Sequence, residues 1–239
     1  MTALLFFFAA LIAEILGTIG GFGSSLFFVP VASYFFDFET VLGITALFHV
    51  SSNLVKIALF RHGFDKRLFL LVGIPSVIGV VIGAYLSALA PSFWLEWTMA
   101  IFLILFSAFL LLWQKLKVSD KPSISISSGL VSGFLAGLVG TGGAVRGIAL
   151  SAFRLRMEVF IATSAFIDLL VDLSRSVVYY NNGYIHQAQW KWVFGLIGVS
   201  ILGTWIGKRI LSEISEERFR VIVLYLIAGV GVATLIRLV

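Results

Sequence analysis

Cysteine is absent from the 239 residues, which excludes disulfides and thiolate chemistry and leaves the redox compartment open. Histidine is scarce: there are three, with no metal-ligand spacing on a shared helix, so neither a metal nor a cofactor is expected. Charged residues are only 12% of the chain, against roughly 25% in soluble domains. No polar stretch is long enough for a soluble domain; the longest, 114–128, has the size of a connector. The sequence holds no phosphate P-loop and no Ser-His-Asp spacing, so an enzyme is not expected. The first residues lack a basic n-region and a small-residue cleavage site, and read as a retained membrane segment rather than a cleaved signal peptide.

What fills the chain is apolar: 60% of the residues are hydrophobic. A bilayer core of about 30 Å takes roughly 20 apolar helical residues to cross, and backbone groups without water must be satisfied within helices or closed barrels. The apolar runs are too long for barrel strands. They divide at polar or Pro/Gly breaks into about eight membrane segments: 2–36, 40–60, 67–89, 92–113, 125–153, 157–180, 189–211 and 217–238. The first and fifth are interrupted by dense glycine, over 17–23 and 137–143, which disfavours a continuous helix. As one helix, 2–36 would run about 52 Å, so it is expected to break and fold back.

The two halves match each other. Gly17, Gly20 and Gly23 recur as Gly137, Gly140 and Gly143. At an offset near 119, His49 falls on Asp168, Asn53 on Asp172 and Lys56 on Arg175; further on, Gly79 and Gly83 fall on Gly203 and Gly207. An internal repeat of this kind governs the whole architecture. Basic residues then orient it. Arg61, Lys66 and Arg67, linker Lys115, Lys117 and Lys121, Arg154 and Arg156, and Lys208, Arg209, Arg218 and Arg220 mark four cytoplasmic connections, while the 37–39, 87–93 and 181–188 turns carry no Lys or Arg. The 125–153 segment must then enter and leave on one side, and by the repeat so must the first segment. The expectation is an all-α polytopic transmembrane bundle of two inverted repeats, 1–113 and 125–239, joined by a cytoplasmic linker at 114–124. Each repeat has a Gly-broken re-entrant segment and three spanning helices, the plan of many secondary transporters. The net charge of +5 reads as loop charge in the cytoplasmic membrane, not as a nucleic-acid footprint.

Two constellations carry chemistry. Broken helices at membrane depth occur where protein or an aqueous cavity covers their backbone, and a helix restarting after a break aims free N–H groups at the gap, which suits an anion. Gly20, Gly21 and Gly23 with Ser24 and Ser25, and Gly140, Thr141, Gly142 and Gly143, are therefore candidate anion contacts; close packing through small residues is the competing explanation. The second constellation is a polar stripe in each half. His49, Ser52, Asn53 and Lys56 share one helix face, as do Asp168, Asp172 and Arg175, with Thr45, Thr163 and Ser164 about one turn earlier. Ionisable groups in a bilayer mark pathways, although Lys56 could snorkel to the surface and Asp172 could neutralise Arg175 at i, i+3. Arg146, just after the second glycine cluster, suits an oxyanion in fork geometry, or else an ion pair with Glu14. Trp94, Trp97, Trp113, Trp190 and Trp192 stand near segment ends, as interfacial anchors do. His62 and His186 read as solvated loop residues.

The run Gly20-Gly21-Phe22-Gly23-Ser24-Ser25-Leu26-Phe27-Phe28-Val29-Pro30 resembles the N-terminal signature of the TauE/SafE family of membrane permeases, and 137–144 resembles its second-half counterpart. The resemblance covers nearly the whole chain. The commonest pattern has glycine or apolar residues where Val145-Arg146 stand, and often glycine at Phe22 and Ser24. It implies export of sulfite or an organosulfonate such as sulfoacetate. The expected function is a secondary transporter for a small anion, bound near the midplane by the two glycine breaks, Asn53, Lys56, Arg146 and Arg175. Glu14, His49, Asp168 and Asp172 would couple or gate, with protons as the coupling ion. A passive anion channel and a membrane-embedded enzyme are the alternatives; a non-transporting scaffold would leave the doubled stripes unexplained.

Overall fold

The computed structural model describes residues 2–21, 23–60, 63–112, 119–153, 155–211 and 216–239, with only the backbone described over 216–223. Phe22, Arg61, His62, Trp113, Lys115, Lys117 and Arg154 lie outside the described residues, as do the side chains of Arg218 and Arg220. Ten helices follow one another with no strand among the described residues. They are α1 (Thr2–Gly20), α2 (Ser25–Ala32), α3 (Phe38–Leu59), α4 (Lys66–Ser87), α5 (Ser92–Leu112), α6 (Pro122–Val139), α7 (Gly143–Ser151), α8 (Met157–Asn181), α9 (Trp190–Leu211) and α10 (Glu216–Leu238).

Local chemistry sets these boundaries. The Asp37 carboxylate accepts from the Thr40 amide at 2.9 Å and caps α3, and Asp65 accepts from Leu68 at 3.0 Å to start α4. Pro75 has no amide hydrogen, and α4 widens to π spacing over Phe69–Gly73 just ahead of it. Pro122 sits in the first turn of α6, where its missing N–H costs nothing; the helix therefore starts inside the stretch that sequence alone assigns to the linker. Gly140 ends α6 at φ 79°, and Gly21 and Gly23 carry the first break at φ 66° and 85°.

Among the described residues six helices, α1, α3, α4, α5, α6 and α9, are long and apolar enough to cross a membrane, against the eight segments counted from the sequence. The difference lies in α8, whose 25 residues include Asp168, Asp172 and Arg175, and in α10, whose apolar run is taken over Leu224–Leu238. The first segment folds back on itself. The Phe6 ring, near the start of α1, lies 5.5 and 5.2 Å from those of Phe35 and Phe36, just past the end of α2.

Basic connections gather at one end of the bundle. Lys208 at the end of α9 donates to the Leu59 carbonyl at the end of α3, at 2.6 Å. The Asp65 amide before α4 donates to Thr163 near the start of α8, at 3.0 Å. The opposite end joins the turns without Lys or Arg: Ser92 donates to Glu39 at 2.9 Å, and Gly43 faces the Tyr184 carbonyl. Trp94 and Trp190 are exposed, whereas Trp192 departs from the anchor reading and packs against Phe6, Phe7 and Phe36.

Two glycine-lined interfaces hold the bundle, each joining a helix of one half to a helix of the other. Along α4 and α6, Gly129, Gly133 and Gly137 face the carbonyls of Val72, Ser76 and Val80 in turn, so the helices run parallel with backbones in contact. Along α1 and α9, Gly203 faces the stem of Glu14 and Gly207 that of Thr18. Without a hydrophobic driving force between helices in lipid, this approach supplies the packing. α3 packs on α8 between the two interfaces. A Cβ on Gly133 would stand 2.0 Å from the Ser76 oxygen, whereas one on Gly198 meets nothing within 4 Å. Gly133→Ala is expected to destabilise the detergent-solubilised protein by about 1–3 kcal/mol in thermal unfolding, and Gly198→Ala to leave it within about 0.5 kcal/mol. Equal melting temperatures for the two variants would contradict the packing.

Candidate functional site

The two polar stripes face each other across α3 and α8, and both breaks close on them. Glu14 on α1 is fully buried and collects five donors: Thr18, Ser24, Ser52, Thr204 and Lys56. Lys56 Nζ lies 2.9 Å from Glu14 Oε1 and donates to Ser52 at 2.7 Å; it does not snorkel. A carboxylate has about four acceptor sites, so Glu14 is saturated.

The network continues through Ser24, whose hydroxyl donates to Glu14 at 2.6 Å and lies 3.0 Å from His49 Nε2. Arg175 Nη2 lies 3.3 Å from His49 Nδ1. A guanidinium only donates, so Nδ1 accepts, the imidazole is neutral, and its Nε2–H donates to Ser24. Arg175 also donates from Nε to Asp172 at 2.8 Å, and Asp172 accepts from Asn53 across the helix pair at 2.7 Å. An unbroken chain of polar contacts thus runs from Lys56 through Glu14, Ser24, His49, Arg175 and Asp172 to Asn53.

Arg146 belongs to a second, shorter group. It is fully buried in the first turns of α7 and pairs through Nη2 with Asp168, which also accepts from Ser164. The pairing of Arg146 with Glu14 entertained from sequence is not made; Lys56 takes Glu14. Nε and Nη1 of Arg146 are buried without a hydrogen-bond partner among the described residues. Such donors lose about 1–3 kcal/mol each when left unpaired.

The breaks meet where Ser25 donates to Thr141 at 3.5 Å. They are otherwise unlike. Gly20, Gly21 and Gly23 are partly exposed, whereas Gly140, Thr141, Gly142 and Gly143 are buried. A cavity of roughly 260 Å³, counting open space at its mouth, is lined by Gly17, Gly23, Asn53, Lys56, Ser164 and Asp168 among others. It lies beside the first break. Of the sequence-derived candidates, Gly21, Gly23, Asn53, Lys56 and Asp168 line the cavity, and Arg146, Arg175 and the second break do not. Asp168, 20% exposed, stands between the cavity and Arg146. Gly142 has a packing role as well, since a Cβ there would lie 1.8 Å from the Ser132 carbonyl.

Thr18, Thr204 and Tyr179 escaped the sequence reading. Thr204 donates to Glu14 at 3.0 Å; its position next to Gly203, a glycine already matched to Gly79, was the available signal. Tyr179 donates to the Gly137 carbonyl at 2.7 Å and lies one turn beyond Arg175 on the same face.

The family model described as "Sulfite exporter TauE/SafE" matches residues 6–234. A relative described as "Probable membrane transporter protein YunE", from Bacillus subtilis (strain 168), is 27% identical over an alignment covering 87% of this chain and 86% of the relative. No solved structure matches.

Removing one member of a buried pair strands its partner's charge, at a cost of about 3–5 kcal/mol, whereas replacing both by apolar groups of similar size is often neutral. Glu14→Gln is expected to lower stability by that amount in detergent unfolding, and adding Lys56→Met to restore most of it. A double variant as unstable as the sum of the single variants would break the assignment of this pair.

Proposed function

The chain belongs to the sulfite exporter TauE/SafE family of membrane transporters, and from that premise we propose that it is a secondary transporter moving a small anion, sulfite or an organosulfonate, by alternating access. The observation that carries the reading is Arg146: a buried guanidinium with two unpartnered nitrogens, close behind the start of a helix that follows a glycine break. Free amides at that start and the guanidinium fork both favour an oxyanion. Ser25 and Thr141, where the breaks meet, supply neutral donors.

Charge accounting supports a proton as the coupling ion. Glu14, Asp168 and Asp172 face Lys56, Arg146 and Arg175, with His49 neutral, so the centre is balanced before cargo enters. An added monoanion, hydrogensulfite or a simple sulfonate, would leave one uncompensated charge in a medium of low dielectric. A proton on Asp168 removes that excess and releases Arg146 in the same step, because Asp168 both lines the cavity and occupies the guanidinium. Anion and proton thus enter together. A channel would need a path open on both sides, and here the second break is packed shut.

Proteoliposomes test this directly. Sulfite uptake should be accelerated by an inward proton gradient, show counterflow, and fall by at least about tenfold in Arg146→Ala, the loss expected when a charge-assisted contact worth some 1.5–3 kcal/mol disappears. Asp168→Asn should retain exchange but lose its response to the gradient. Undiminished transport in Arg146→Ala removes the anion-binding role, and flux without counterflow favours the channel.

A further inference from the structure

The first and second breaks correspond in sequence, yet one borders a cavity and the other is sealed. The seal is chemical. The last carbonyls of a helix have no partner within it, and at the end of α6 Arg175 Nη1 donates to Ala136 at 3.1 Å and to Gly140 at 3.0 Å, while Tyr179 donates to Gly137 at 2.7 Å. Leu42 and Val29 close over Gly140. At the end of α1 the corresponding carbonyls, those of Leu16, Gly17 and Gly20, receive no side-chain donor among the described residues. Lys56, which corresponds to Arg175, is held elsewhere, on Glu14 and Ser52.

We infer that Arg175 is the gate on the side away from the basic connections, clamping the carbonyl end of α6, and that Lys56 takes the equivalent place on the carbonyl end of α1 in the opposite state. The correspondence extends to the walls. Ser164 and Asp168 line the cavity; their counterparts Thr45 and His49 do not, and His49 lies against Arg175. The cavity lies toward the basic end of the bundle, where α3 finishes and α8 begins, so the state described is open toward the cytoplasmic connections.

The two gates are unequal. A guanidinium offers five donors in a fixed fork and can hold a carboxylate and two carbonyls at once, as Arg175 does; an ammonium offers three and sits on a flexible stem. Asp172 stands one turn from Arg175 and prepares it, whereas the matching position beside Lys56 is Asn53, without charge. The cytoplasm-open state is accordingly the favoured one in the absence of cargo.

Because the chain has no cysteine, single cysteines report access directly. Ser164→Cys and Thr45→Cys are each labelled with a membrane-impermeant thiol reagent in right-side-out and inside-out vesicles, without any cargo. In the otherwise unchanged chain, Ser164→Cys should react from the side of the basic connections and Thr45→Cys from neither. Adding Arg175→Gln should raise the Thr45→Cys rate from the opposite side by about tenfold or more and lower that of Ser164→Cys, as a shift between two states requires. Tyr179→Phe, which keeps the ring and removes one clamp, should move both rates in the same directions by a smaller factor and serves if Arg175→Gln does not fold. Lys56→Met should leave Thr45→Cys protected. A Thr45→Cys rate unchanged in a monodisperse Arg175→Gln or Tyr179→Phe protein overturns the gate, as does labelling of both cysteines with no fall at Ser164→Cys. The inference rests on the alternating-access reading for its meaning but needs no substrate to test. A reciprocal labelling shift without sulfite transport would uphold the gate and reject the cargo.

Discussion

Charge inside a membrane must be cancelled close at hand, and the arrangement of this bundle follows from that requirement. At the centre three carboxylates, Glu14, Asp168 and Asp172, meet three cations, Lys56, Arg146 and Arg175, on α1, α3, α7 and α8, and each of these acids has a basic partner within direct contact. The pairings cross between helices twice, Glu14 to Lys56 and Asp168 to Arg146, and stay within α8 once. They fix α1 against α3 and α7 against α8, which is to say that they fix each glycine-broken segment against the long helix that follows it in sequence. Hydroxyls from Thr18, Ser24, Ser52 and Thr204 complete the shell of Glu14; saturating a buried acid with donors holds its charge in place more firmly than the ion pair alone.

The glycines make that proximity attainable. Gly203 and Gly207 let α9 lie directly on the Glu14 and Thr18 face of α1, and the α4–α6 contact brings Ala136, Gly137 and Gly140 within reach of Arg175 and Tyr179. Close backbone packing is visible in both glycine clusters: Gly17, Gly137 and Gly142 touch neighbouring backbone, while Gly21 and Gly23 adopt left-handed turns at the cavity wall.

Much of this was legible in the residues. Segment limits agree to within a few positions because Asp37, Asp65, Gly21 and Gly140 act locally, through caps and positive φ. The stripes were visible because helical periodicity places His49, Asn53 and Lys56 on one face wherever the helix lies. Which acid meets which base was not legible, because it depends on how α1 and α7 sit against α3 and α8: Lys56 took Glu14, and Arg146 took Asp168. The start of α6 at Pro122 was obscured by the serines of 123–128, which resemble a linker in composition but are carried in a helix. The unequal exposure of the two breaks leaves no trace in a sequence whose copies match there.

The exchange of helices between halves bears on synthesis. Thr204, which completes the shell of Glu14, lies 190 residues later in the chain, and α9 as a whole is translated after nearly every other segment. α1 therefore enters the bilayer carrying a carboxylate whose cation arrives only with α3 and whose last donor arrives only with α9. Until then Glu14 is without Lys56 and Thr204. The surroundings of α1 are thus completed only by a helix far along the chain, and its assembly is a late, long-range event.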